Sequence, residues 1–123
     1  MNINIKATNT ELTPAIRDYV EKKVTSLEKF ISKYGENAQV QVEVGKTTHH
    51  HNKGDVFRAE MNVSLAGNAY QFRAEAETID LYAAIDMAKD ELERELSRFK
   101  GKRESLYRRG AKTLKNLMKR FSE

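Results

Sequence analysis

Lys22, Lys29 and Lys33 follow one another at intervals of seven and four residues, and Lys23 stands beside the first of them. On an α-helix, at 100° per residue, that spacing sets Lys22, Lys29 and Lys33 within about 40° of one another. Such a row of point charges can track a phosphate backbone, although a solvated helix flank is the plain alternative for any single stripe. A second set of cations comes late in the chain. Arg94 and Arg98 are four residues apart, followed by Lys100, Lys102 and Arg103 and then by Arg108 and Arg109. Glu91 and Glu95 precede Arg94 and Arg98 by three residues and can pair with them, which leaves only the end of this segment unopposed. Together these cations would bind a polyanion by neutralising phosphates and releasing counterions, with steep salt dependence and little sequence readout.

Other chemistry finds little support. His49, His50 and His51 are the only histidines. Consecutive side chains alternate in direction along an extended segment and do not converge on one tetrahedral metal, so the triplet reads as loop decoration. With no cysteine in the chain, disulfides, thiolate metal sites and a Cys nucleophile are excluded. There is no phosphate loop, zinc-protease helix or nucleophile motif. Asp86, Asp90 and Glu93 read as solvated charge on an exposed helix face. Tyr70 and Phe72 alternate on a strand without the pattern of an RNA-stacking sheet, so they read as core. No enzyme, cofactor or metal is expected.

The elements that must carry the cations are legible from periodicity. Ile3, Ile5 and Ala7 alternate with polar neighbours as a strand. Thr13 and Pro14 then supply an N-cap and a first helical residue, and Ile16, Val20, Val24, Leu27, Ile31 and Tyr34 form the apolar stripe of one long helix ended by Gly35. Val40, Val42 and Val44 mark a second strand, and residues 47 to 55 read as a polar loop. Phe57 to Leu65 and Tyr70 to Ala76 alternate as a hairpin about Gly67 and Asn68. Thr78 is placed as the N-cap of a second helix, with Asp80 in its first turn and an apolar stripe of Leu81, Ile85, Ala88, Leu92, Leu96 and Phe99. The order is β-α-β-β-β-α. The fold class is therefore α+β, a four-stranded sheet with two helices packed on one face and the first two strands parallel across a right-handed crossover.

Charge divides the chain unevenly. Of 123 residues, 1 to 97 carry 12 basic and 16 acidic side chains, whereas 98 to 123 carry 10 basic and 2 acidic, so the overall net charge of +4 conceals a tail of +8. Residues 1 to 100 form one domain; residues 101 to 123 are a basic C-terminal tail, either helical or disordered. Within the tail Tyr107, Ala111, Leu114, Met118 and Phe121 recur at helical spacing, but Gly110 interrupts them and a short isolated helix is marginal in water. No apolar run approaches the roughly 18 residues of a membrane-spanning helix and no leader opens the chain, so a cytoplasmic protein is expected.

The segment from Asp80 to Asp86 (Asp-Leu-Tyr-Ala-Ala-Ile-Asp), Leu92-Glu93-Arg94 and Arg98-Phe99-Lys100 resemble the ribosome hibernation promoting factor family, also called ribosome-associated inhibitors or sigma-54 modulation proteins. Thr13 to Arg17, Lys22-Lys23-Val24 and Leu27-Glu28-Lys29 are similar to its first helix. The resemblance spans residues 1 to about 103. It implies a fold like that of double-stranded-RNA-binding domains, with a basic helical side that docks on the small ribosomal subunit and its ribosomal RNA. The site implied lies over the decoding region, where messenger RNA and tRNA would otherwise bind, so that idle ribosomes are silenced in starvation or stationary phase. Lys22, Lys23, Lys29, Arg94, Arg98 and Lys100 match the family's basic positions; Ser26, Glu91 and Glu95 stand where family members often have Lys, Lys and Gln, departures that together make the helix surface less positive. The length suits a short form without a separate dimerisation domain. Two other classes share these features: a generic duplex-RNA-binding module, and a protein whose basic amphipathic tail binds a membrane surface or a partner helix.

Overall fold

A computed structural model describes residues 1–47 and 56–121, with the side chains of Glu36, Arg120 and Phe121 outside the description. The histidine triplet lies outside the described residues. The chain opens with β1 (Asn2–Thr8), whose Ile3, Ile5 and Ala7 turn half-buried toward the helices. Helix α1 (Pro14–Thr25) follows, with Thr13 extended at the N-cap and its Oγ1 accepting from the Ile16 amide at 3.2 Å. That bond satisfies an amide the first turn leaves without a helical partner, and Pro14 has no amide to satisfy.

The single long first helix expected from the apolar spacing is instead broken. Ser26 Oγ donates to the Lys23 carbonyl at 2.5 Å, and the Leu27 amide reaches the Val24 carbonyl only three residues back. A serine that bonds its own preceding turn competes with the i→i−4 ladder. The chain resumes as a short helix α2 (Glu28–Ile31) and then a 3₁₀ segment (Ser32–Asn37) that holds Gly35 at φ 54°. Ile16, Val20, Val24, Leu27 and Ile31 nonetheless all reach the core, because the tighter turns keep the stripe facing inward.

Strand β2 (Gln39–Thr47) pairs parallel with β1, and β3 (Val56–Leu65) and β4 (Tyr70–Thr78) complete an antiparallel meander in the order β1-β2-β3-β4. Gly45 lies close against β1: a Cβ there would stand 2.8 Å from the Thr8 carbonyl oxygen. Alternate residues of the central strands are buried under the helices, as period-2 patterning requires. No polar or charged residue is buried among the described residues.

The last helix, α3 (Leu81–Phe121), runs unbroken for 41 residues. Its cap is Asp80, whose Oδ1 accepts from the Tyr82 amide at 3.2 Å, and not Thr78, which ends β4. Leu81, Ile85, Ala88, Leu92 and Leu96 are buried against the sheet and Phe99 half-buried. At 1.5 Å per residue the helix is about 60 Å long, twice what the first twenty residues need to cross the sheet. The remainder projects, and from Lys100 to Lys119 every residue except half-buried Ser105 is exposed. The tail is thus an extension of the second predicted helix, and Gly101 does not interrupt it.

A candidate nucleic-acid interface on the helical side

The two faces of the sheet differ in how their charges are spent. On the open face Arg58 donates to Glu75 at 2.8 Å and also pairs with Glu60, while Arg73 bonds Glu60 at 3.0 Å and Glu75 at 2.9 Å. The Asn62 side-chain amide also donates a hydrogen bond to Glu60, at 2.7 Å. Bonds from Asn62, Arg73 and Arg58 outweigh the cost of burial and hold the Glu60 carboxyl down at about 2. These arginines already carry carboxylates and have little left for a phosphate. The helical side is different.

Of the cations expected to bind phosphate, Lys23 ties α1 to α3, and Lys29 stands at the limit of pairing distance from α3. Lys23 Nζ stands 3.1 Å from Asp86 Oδ1 on α3, and the Tyr19 hydroxyl donates to the same oxygen at 2.6 Å. The bond to Asp86 raises the pKa of both Tyr19 and Lys23. Asp86 is lowered in turn: partial burial raises it, but the bonds from Tyr19 and Lys23 prevail. Tyr19 packs edge-on to Tyr82 with ring centres 4.9 Å apart. Lys29 lies 3.9 Å from Glu93, which Lys89 holds at 2.7 Å, and Lys100 Nζ donates to the Lys29 carbonyl at 3.4 Å. Asp86 and Glu93, read from sequence as solvated charge, are half-buried partners of these lysines. Their seven-residue separation is within one of the six between Lys23 and Lys29, a relation that has meaning only once the two helices lie side by side.

The break at Ser26 also takes the lysine stripe apart. Lys22 is on α1, Lys29 on α2 and Lys33 in the 3₁₀ segment, so their phases on one ideal helix no longer apply. All three remain exposed. What the fold assembles instead is a pair of clefts where α2 and the 3₁₀ segment meet α3. The first, about 500 Å³, is lined by Phe30, Asp90, Glu93, Arg94, Ser97 and Arg98. Among the described residues Arg94 and Arg98 are not paired with Glu91 or Glu95, contrary to the expectation from spacing, and both are exposed. The second, about 460 Å³, is lined by Lys33, Arg103, Glu104, Tyr107 and Arg108. Lys102 and Arg109 are exposed on the same projecting helix.

Arg103 is the most constrained of these cations. Its guanidinium lies 5.0 Å from the Tyr70 ring centre and 5.6 Å from that of Phe99, and it bonds the Tyr70 hydroxyl. Beneath it Tyr70 and Phe72 each pack on Phe99, with centres 4.9 and 5.0 Å apart, so both aromatics of β4 serve packing as expected. Tyr107 is a lining residue of the second cleft that the sequence did not single out for nucleic-acid contact. It is 81% exposed at the rim of the second cleft, and its place in an apolar stripe hid it.

Residues 3–104 match the model of the family described as Sigma 54 modulation protein / S30EA ribosomal protein. The chain belongs to that family. The match extends to its curated relatives: the Ribosome hibernation promoting factor of Klebsiella oxytoca is 35% identical over 102 residues, covering 83% of this chain and 96% of that one. The Ribosome hibernation promotion factor of Bacillus subtilis is 31% identical over 102 residues, and there the chain spans only half the relative's length. Among solved structures, the N-terminal domain of Protein Y from Thermus thermophilus aligns at TM-score 0.60 and 38% identity, covering 80% of this chain and 99% of that one. A ribosomal subunit interface protein from Coxiella burnetii aligns at 0.61 and 25%, covering 82% and 99%. The resemblance read from the residues is thereby established, and with it the fold. No described helix is long and apolar enough to cross a membrane.

Proposed function

We propose that this protein is a ribosome hibernation factor that binds the small ribosomal subunit over its decoding region and blocks messenger RNA and tRNA there, inhibiting translation under stress. The reading rests on the family membership and on one structural observation: Arg94 and Arg98, left without carboxylate partners among the described residues, stand together in the cleft at the junction of α2 and α3. A groove of this kind suits phosphates of folded RNA, which positive side chains hold without reading sequence. The residues that meet the RNA are Lys22, Lys29, Lys33, Arg94, Arg98, Lys100, Lys102, Arg103, Arg108 and Arg109, with Lys23 acting first as a tie between the helices and second as a contributor to the field. As the ribosome is its target, the protein works in the cytoplasm.

Cosedimentation with purified small subunits across a salt series, with and without tRNA, tests this. Binding that weakens steeply with salt and is displaced by tRNA is the expected result, and no binding at low salt overturns it. A generic duplex-RNA-binding module would bind free duplex as tightly as the subunit, so competing duplex distinguishes the two. The exposed Leu106, Leu114, Leu117 and Met118 of the projecting helix favour a second mode, in which the tail meets a membrane surface or a partner helix. Flotation with anionic vesicles reports on that mode directly.

A further inference from the structure

We propose that the cleft between the 3₁₀ segment and α3 is a binding site for one unstacked nucleotide of a single-stranded RNA, its base stacked on Tyr107 and its phosphate held by Lys33 and Arg108. This rests on the reading that the helical side meets RNA, and it adds a site that straddles the end of the family segment: Lys33, Arg103 and Glu104 lie within residues 3–104, Tyr107 and Arg108 beyond them. Three features carry it. The cleft, at about 460 Å³, falls within the range of about 300–1,000 Å³ that small ligands occupy. Three cations line it against the single carboxylate of Glu104, leaving positive charge in excess. At its rim Tyr107 is 81% exposed, an aromatic face that no packing among the described residues uses.

The cations are also held in advance of any ligand. Arg103 is fixed over Tyr70 and Phe99, and Arg108 Nε donates back to the Glu104 carbonyl at 3.4 Å. Lys33 Nζ rests 5.3 Å from the Tyr34 ring centre. Of the three, Arg103 has least ordering left to lose when a phosphate arrives, which favours binding at a site otherwise open to water. A duplex does not satisfy this geometry, because its bases are stacked and present edges only, whereas a strand with splayed bases offers the face that an aromatic ring takes.

The test uses the full-length protein with a fluorescein-labelled A6 RNA strand, a 12-base-pair RNA duplex and AMP as competitor. Tyr107→Ala should weaken A6 binding about tenfold, Tyr107→Phe should leave it within about twofold, and neither should change duplex binding. Lys33→Gln with Arg108→Gln should flatten the salt dependence of A6 binding. Unchanged A6 affinity in Tyr107→Ala, or an equal loss on strand and duplex, overturns the proposal; AMP that competes as well as A6 assigns the cleft to free nucleotides and overturns the strand reading. Subunit cosedimentation of the same variants separates the two readings. Tyr107-dependent A6 binding without subunit binding removes only the ribosomal role, and subunit binding with an inert Tyr107 removes only the cleft.

Discussion

A basic side chain contributes to nucleic-acid binding only by the charge its neighbours leave it, and that remainder is set by groups far apart in sequence. Lys23 and Lys29 count as cations in composition, yet each faces a carboxylate of α3. Arg94 and Arg98 looked compensated by Glu91 and Glu95 but, among the described residues, lie unpaired at a cleft. Replacing Arg94 and Arg98 with Gln should therefore weaken subunit binding more than Lys23→Gln does. It should also make the plot of log affinity against log salt shallower by about one for each phosphate no longer neutralised, measurable by cosedimentation at four or five salt concentrations. On the opposite face the Glu60 carboxyl is held at about 2, below its ordinary 4.5. A depressed folded-state pKa contributes stability that is complete above the unfolded value and disappears as pH falls through the folded one. Thermal melts should show that contribution lost between pH 4.5 and about 2, and Glu60→Gln should flatten the profile in that window. An identical profile in the variant would exclude Glu60 as a source of the acid sensitivity.

Elements were legible to the extent that periodicity decides them. All four strands, the parallel pairing of β1 with β2 and the core stripe of α3 follow from spacing and turn chemistry alone. Element ends were less so. The break at Ser26 depends on a single hydroxyl choosing a backbone carbonyl, and the N-cap of α3 falls to Asp80 because Thr78 is drawn into the β4 ladder opposite Phe57. Apolar spacing is blind to both. The tail's helicity was equally open from sequence, since Gly101 and Gly110 argue against it and the stripe argues for it. Continuation from an already formed helix avoids a new nucleation step, which tips the balance. Gly110 has open space where a Cβ would stand, so Gly110→Ala should stabilise the projecting half of α3 by about 1 kcal/mol. Slower amide exchange over residues 104 to 119 is the expected readout, and unchanged exchange would mean that the glycine does not limit the helix there.

At the scale of the whole molecule, the last helix begins in the core and continues as an exposed, positively charged half. Truncation after Lys100 should leave the sheet and its helices folded, with a modest loss of thermal stability as Arg103 leaves the Tyr70 and Phe99 rings. The same truncation should reduce subunit affinity sharply at moderate salt, because it removes most of the +8 carried after residue 97. Equal affinity with and without the tail, measured by cosedimentation, would confine the interface to the domain. The sequence by itself determined the layer architecture, the buried faces and the uneven charge, because alternation and helical spacing are local and charge is a sum. Tertiary structure alone decided which cations remain available and where they converge. Pairing across helices and the shape of a cleft depend on how separate elements pack, and that distance is not written in residue spacing.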